Sequence, residues 1–404
     1  MKIYKDSVLK IKRPIYDIIL YFMIISANLG EIAKVGNIKL AWLFGASIVI
    51  VYIIFFINNY QLLKINHKNK KLLILFFYIW ALYALFQHIF LVNKPYSFQF
   101  LLVLLINCYI VILIITNSKC INDVLYFNKA VIISLLINMI IAIWELRTGQ
   151  HLVKLEGEQN IIYYSNKALA TFGNGNDFAT FLYFGIIAIF IDIIYNKKFI
   201  IFKIIIVFIA IILIIIINAR GAIYGVVLLL AFWLFYYYTL RYINKSILII
   251  FNIFAIINIF VIIIIILSTN LLESLIYKIS SSSNINSDLY RLELIKGSLK
   301  IFYDSFFMGV GPGQSINILG MNIHNFFLEI LAEYGIIIFI GIIGLFFNIH
   351  LSFSKIKNVM LASLNMAFVP SFVIISVSSS GANRIRATWI ILAIIFSIIN
   401  NKED

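Results

Sequence analysis

Apolar residues run along this chain in long unbroken blocks. Blocks bounded by polar or charged clusters fall at about 15–30, 38–57, 71–92, 98–116, 125–146, 176–195, 200–217, 220–238, 246–267, 324–348, 358–378 and 386–400. Each is continuous and rich in Ile, Leu and Phe, whereas the strands of a membrane β-barrel alternate apolar and polar residues. A bilayer-spanning helix needs ~20 apolar residues. The pattern therefore predicts an all-α polytopic membrane protein with about twelve transmembrane helices, the first and last short enough to tilt or lie partly in the interface. The implied organisation is 1–146 for helices one to five, a loop at 147–175, 176–267 for helices six to nine, a long loop at 268–323, and 324–404 for helices ten to twelve.

The long loop, roughly 56 residues, would be unusual without structure of its own. Leu289, Leu292, Ile295, Leu299, Phe302 and Phe306 step by three or four and make one apolar helical face, with Lys296, Lys300 and Asp304 off it. An amphipathic helix on the membrane surface fits that spacing. Gly309-Val310-Gly311-Pro312-Gly313 then breaks the helix and turns the chain.

Composition removes the soluble alternatives. Of 404 residues, 63% are hydrophobic and 12% charged, against about half and about a quarter in soluble domains. Too little polar surface remains to cover a water-soluble fold. The formal charge of +15, from 32 Lys and Arg against 17 Asp and Glu, is then topogenic and does not point to nucleic acid, because cytoplasmic loops collect Lys and Arg. Lys64, Lys68, Lys70, Lys197, Lys198, Arg241, Lys245, Lys355 and Lys357 fall on loops of one parity, together with the N-terminal segment. That bias puts both termini in the cytoplasm and the loops at 147–175 and 268–323 outside. Arg384 and Arg386 break the bias and either weaken the topology or mark a functional site. The basic N-terminus, Lys2 to Arg13, followed by an apolar run reads as a retained first helix.

Cys108 and Cys120 have neither metal-ligand nor disulfide spacing. Among the five histidines, His67 and His350 fall on the cytoplasmic side and His88, His151 and His324 on or near the outside. His324-Asn325 opens the tenth helix, where an imidazole suits either a general base near neutral pH or a polar cap. Arg220 sits where two strongly apolar helices meet; a guanidinium there is a functional candidate by default, or an anchor that snorkels to headgroups. Arg291 lies on the loop helix, and two converging arginines would match a pyrophosphate. Arg384 and Arg386 are weaker candidates of the same kind. Glu329 and Glu333 share a helix face. Glu156-Gly157-Glu158 would be the place for a divalent cation, or an ordinary solvated loop. Asn174 to Asp177 reads as a helix cap. Walker, Rossmann and zinc spacings are absent from the sequence.

Three features then line up in order: Arg220-Gly221-Ala222 opening a helix, Arg291 before the glycine-rich turn, and His324-Asn325 followed by Leu328-Glu329-Ile330 and Glu333-Tyr334-Gly335. Together they resemble the O-antigen ligase and polymerase superfamily over about 200–348. Upstream, Trp144 to Leu152 and Phe172 to Ala179 resemble the branch acting on capsular or teichuronic polysaccharides. The resemblance implies a GT-C type fold and a glycosyltransferase using a polyprenyl-pyrophosphate-linked glycan at the outer face of the cytoplasmic membrane. Carried over by position, Arg220 and Arg291 hold the pyrophosphate and His324 activates the acceptor hydroxyl. Asn325, Glu329, Arg384, Arg386 and His151 are supporting candidates. The resemblance implies no metal and no cofactor. Its partners are the lipid-linked donor and acceptor, membrane lipids, and a chain-length regulator or other assembly proteins. Polymerase is preferred on the upstream resemblance; ligase-type transfer to a lipid, wall polymer or protein stays open, as does a lipid-linked oligosaccharide flippase. Transporters place polar sites at the midplane, often in repeats, and this chain shows no repeat.

Overall fold

A computed structural model describes residues 15–30, 68–91, 94–153, 167–242, 285–376 and 385–401, with isolated positions between 32 and 47; side chains at 68, 94–96 and 285–292 lie outside that description. The helices are α1 (Ile15–Asn28), α2 (Lys68–Ile89), α3 (Lys94–Asn117), α4 (Ile121–Thr148), α5 (Gly175–Tyr195), α6 (Ile200–Ile217), α7 (Arg220–Tyr242), α8 (Ile285–Asp304), α9 (Gln314–Leu319), α10 (Phe326–Leu351), α11 (Val359–Ser376) and α12 (Arg386–Asn400). A two-residue ladder pairs Lys34–Val35 with Ile38–Lys39. Eight of the helices are long and apolar enough to cross a membrane, and α1 and α12 are shorter apolar helices. Ten of the twelve expected spans are therefore seen as helices in a multi-pass membrane protein. The other two, at 38–57 and 246–267, lie outside the described residues apart from a few isolated positions.

The burial pattern separates core helices from lipid-facing ones. α12 packs against α1, α3, α4 and α5, and its residues from Arg386 to Ile399 are all buried. α6 instead exposes Ile201, Phe208 and Ile215, as a helix at the lipid boundary does when hydrocarbon replaces a protein partner.

Several polar side chains inside the bundle are held by hydrogen bonds or ion pairs, which offset the cost of burial. At one end Lys70 Nζ donates to the Ser118 carbonyl at 2.6 Å and to Asn401 Oδ1 at 2.7 Å. That single ammonium ties α2, the α3–α4 turn and the end of α12. Lys203 and Asp192 pair at 2.6 Å at the α5–α6 junction. Pro370 lies inside α11, so the Met366 carbonyl one turn earlier loses its usual donor. The buried His350 Nδ1, 3.1 Å from that oxygen, takes the place of the missing amide. His350 is thus a structural histidine.

α10 differs from the single span expected at 324–348. Gly335 has φ 73° and ψ −172° inside it. Phe326 and Phe346 have ring centroids 6.4 Å apart, and Phe327 and Phe346 5.9 Å. Twenty residues of straight helix would separate such positions by about 30 Å. The chain therefore doubles back at Gly335, with one limb at 326–334 and a returning limb at 336–351. Backbone from the glycine-rich turn fills the break. Val310 N–H donates to the Ala332 carbonyl at 3.0 Å, Gly311 N–H to Glu333 at 2.8 Å, and Ile336 N–H to Phe307 at 3.0 Å. Tyr83 Oη donates to the Met308 carbonyl at 2.6 Å and Gln87 Nε2 to the Glu333 carbonyl at 3.1 Å. The carbonyls freed by breaking the helix thus find donors.

Candidate functional site

The two limbs of α10 decide where His324 lies. Its limb runs nine residues, about 13 Å of helix, back from the Gly335 turn. Phe326, two residues after the histidine, packs against Phe372 of α11 at 5.3 Å and Trp389 of α12 at 5.9 Å. His324 is thus recessed into the bundle beside the end of α11 and the start of α12, and is half-buried. Its backbone is left-handed, φ 55°, a conformation uncommon outside glycine that His, Asn and Asp adopt most readily. The cap of α10 is Asn325, whose Oδ1 accepts from Phe327 and Leu328 N–H, both at 3.1 Å. Of the two roles open to the His-Asn pair, capping therefore belongs to the asparagine.

Arg220 is brought to the same end. It opens α7 and is exposed, directly after an apolar helix stopped by Asn218 at φ 59°. α7 runs antiparallel to α11: Trp233 Nε1 donates to the Met360 carbonyl at 3.1 Å, while Gly225 sits where a Cβ would lie 3.2 Å from Ile375. Arg220 is five residues, about 7.5 Å of helix, beyond that contact and past the end of α11. Arg386 opens α12 three residues before Trp389. It is 8% exposed, and its Nη1 donates to the Ala27 carbonyl at 3.3 Å. The arginine that breaks the charge bias is therefore buried at the His324 end. Position 291 lies on α8, which packs on α10; the Arg291 side chain, like Arg384, lies outside the described residues.

α8 itself forms as expected, and its buried face overlaps the expected one in part. Phe302 is buried as expected and Ile295 and Leu299 are half-buried, but Leu294, Ser298 and Ile301 are buried as well, and Phe306 is 86% exposed. The buried serine satisfies its hydroxyl on the Leu294 carbonyl at 2.6 Å, so a nominally polar position belongs to the core. Phe306 lies past the helix end with φ 52°, where helical periodicity no longer applies.

The carboxylates near the site are buried. Glu329 and Glu333 are 3% and 1% exposed, and Glu333 Oε1 accepts from the Ser315 hydroxyl of α9 at 2.5 Å. Sequence reasoning named Glu145 only inside a motif. The structure shows it 2% exposed at the end of α4, with Oε2 accepting from Leu169 and Ala170 N–H at 2.7 Å each. A carboxylate in the last turn of an apolar helix is a functional candidate on its own, and that signal was in the sequence. His151 Nδ1 lies 3.4 Å from Glu145 Oε1. Asn174 caps α5 through the Asn176 N–H at 2.8 Å, as expected. Among the described residues no group of three His, Cys, Asp or Glu side chains is placed to hold a metal; Glu156 and Glu158 lie outside the described residues.

Residues 205–343 match the family model described as O-Antigen ligase. That stretch contains Arg220, Arg291 and His324. Over 369 residues the chain is also 23% identical to the Teichuronic acid biosynthesis protein TuaE of Bacillus subtilis (strain 168), covering 85% of this chain and 74% of that protein. Both findings support the O-antigen ligase and polymerase superfamily, and with it a polysaccharide polymerase or ligase type of activity.

Proposed function

We propose, with the O-antigen ligase match across residues 205–343 as the premise, that this chain is a polysaccharide polymerase. It transfers a polyprenyl-pyrophosphate-linked glycan onto a hydroxyl of the next lipid-linked repeat unit at the outer face of the cytoplasmic membrane. The observation that carries this reading is that Arg220, Arg291 and His324 all fall inside the matched stretch. The acceptor oxygen attacks the anomeric carbon, the bond from that carbon to the pyrophosphate oxygen breaks, and the hydroxyl proton passes to His324 Nε2 or Nδ1. The polyprenyl pyrophosphate leaves with the bonding electrons. Arg220 and Arg291 stabilise its charge as it develops, which is worth most where water is excluded. Two guanidiniums do this without a metal.

Ligase-type transfer of a finished chain uses the same three residues, and the family description favours it as the second reading. The similarity to the teichuronic acid biosynthesis protein continues through helices upstream of the matched stretch and supports a role in polysaccharide synthesis under either reading. The Lys/Arg bias supports cytoplasmic termini, with the His324 end outside.

Arg→Lys at position 220 or 291 keeps the charge and loses the planar fork. Losing one bidentate contact to phosphate should cost about 1.5–3 kcal/mol, or roughly ten- to a hundredfold in rate. Polymer formed by each Lys variant, normalised to protein in the membrane, measures this. Normal polymer from both variants would remove the pyrophosphate role.

A further inference from the structure

We infer that the turn closing α8, from Tyr303 to Met308, is a bilayer anchor whose side chains enter the acyl region of the leaflet around the Ile89 end of α2. That anchoring stands apart from the transfer reading and does not depend on it. The spacing along α8 predicts lipid against its whole apolar face, yet Leu294, Ser298, Ile301 and Phe302 are buried and the helix lies against α9 and α10. What stays uncovered is the tip. Tyr303, Phe307 and Met308 are exposed, and Phe306 is 86% exposed. Phe302, Tyr303 and Phe307 form one ring cluster, with centroids 5.8, 5.0 and 5.5 Å apart.

Hydrogen bonds fix the depth of that tip. Tyr83 Oη and Gln87 Nε2, both on α2, donate to the Met308 carbonyl at 2.6 and 3.1 Å. The exposed Lys71 marks the opposite boundary of the membrane on this helix, because charge is costly in hydrocarbon. Gln87 stands only about 24 Å of helix beyond it, whereas the hydrocarbon core is about 30 Å thick. Apolar side chains stay exposed past that level, at Ile89 and Phe90. On the other side Ile336 N–H donates to the Phe307 carbonyl at 3.0 Å, and the returning limb of α10 exposes Ile337 and Ile340. The tip therefore continues a lipid-facing surface made by its two neighbours.

The backbone of the tip meets the demand of that setting. Irregular backbone at membrane depth is tolerated only where its polar groups are satisfied within the protein. Every amide N–H from Ser305 to Gly309 donates internally, to the carbonyls of Ile301, Tyr303, Phe302 and Ser305 and to the Ser305 hydroxyl. The carbonyls of Ser305, Phe307, Met308 and Gly309 accept in turn. A turn in water can leave such groups to solvent. Phe306 and Phe307 take left-handed backbone, φ 52° and 64°, a strain for bulky residues that the surrounding bonds hold in place. The aromatic side chains so presented suit acyl chains and not water. Tyr303, with its hydroxyl, suits the headgroup level, and Lys296, Lys300 and Asp304 are exposed earlier on α8.

The test places single nitroxide labels on the full chain in phosphatidylethanolamine–phosphatidylglycerol vesicles, with Cys120→Ser removing the exposed native thiol. Collisions with oxygen, which concentrates in hydrocarbon, are compared with collisions with a water-soluble nickel chelate present on both sides of the membrane. Leu82→Cys is the lipid reference and Lys300→Cys the aqueous one, both at exposed positions. The Phe306→Cys label should show the oxygen preference of Leu82→Cys. Met308→Cys gives the same reading from a second position if Phe306→Cys does not fold. Chelate access equal to that of Lys300→Cys overturns the anchor and makes 303–308 an aqueous loop. Low collision rates with both reagents overturn it as well, because protein, such as a second copy of this chain, then covers the tip.

Discussion

His324→Asn should slow chain elongation by about 10²–10⁴-fold, the usual worth of general-base assistance. Asparagine is the informative substitute because the position is left-handed, φ 55°, and Asn tolerates that backbone better than Ala or Gln. It keeps a polar side chain and the backbone turn, and it cannot take up a proton near neutral pH. The helix start should survive, since Asn325 supplies the capping bonds to Phe327 and Leu328. Elongation is read as the rate at which a product ladder lengthens with purified protein. If the Asn variant elongates at the wild-type rate, His324 is a turn residue and not the base.

Gly335→Ala should be strongly damaging for so small a substitution. With φ 73° and ψ −172°, the position lies in a region reached essentially only by glycine, at a strain of about 1–3 kcal/mol for other residues. An added Cβ would also lie 2.5 Å from the Met308 and Phe307 carbonyl oxygens, and relieving such crowding costs about 1–3 kcal/mol more. The loop that docks into the break would be pushed off, and the limb carrying His324 would lose its anchor. A fall in melting temperature, with loss of polymer, is the expected result. Gly344→Ala is the control on the returning limb, where nothing lies within 4 Å of the added methyl. It should be neutral or stabilising by about 0.4–1 kcal/mol. Equal melting temperatures for the two variants would mean that the reversal at Gly335 does not organise the site.

The contrast between those two glycines also explains what could be read from the chain in advance. Continuous Ile/Leu/Phe blocks reveal helices because hydrocarbon tolerates little else. The blocks at 176–195, 200–217 and 386–400 accordingly coincide with α5, α6 and α12 within about a residue. A glycine inside such a block has two outcomes, a small destabilisation or a full break. Local pattern cannot separate Gly335 from Gly344, because the difference lies in a distant loop whose amides answer the freed carbonyls. The same holds for α8, where Ser298 reads as polar and yet is buried. Arg220 and His324 were legible because a charged or titratable group is expensive in an apolar context and stands out against it. Arg386 stood out as an exception to the charge bias. Glu145 carried the same kind of signal, a carboxylate in the last turn of an apolar block, while its partners, Leu169 and Ala170, offer only backbone amides, which composition does not reveal.

Purified chain, reconstituted with a polyprenyl-pyrophosphate-linked repeat unit as its only glycan substrate and assayed in EDTA, tests the central claim most directly. A ladder of products growing by whole repeat units, with release of polyprenyl pyrophosphate in step and none from His324→Asn, is the expected result. An unextended repeat unit, or extension that appears only when Mg²⁺ or Mn²⁺ is restored, would contradict it.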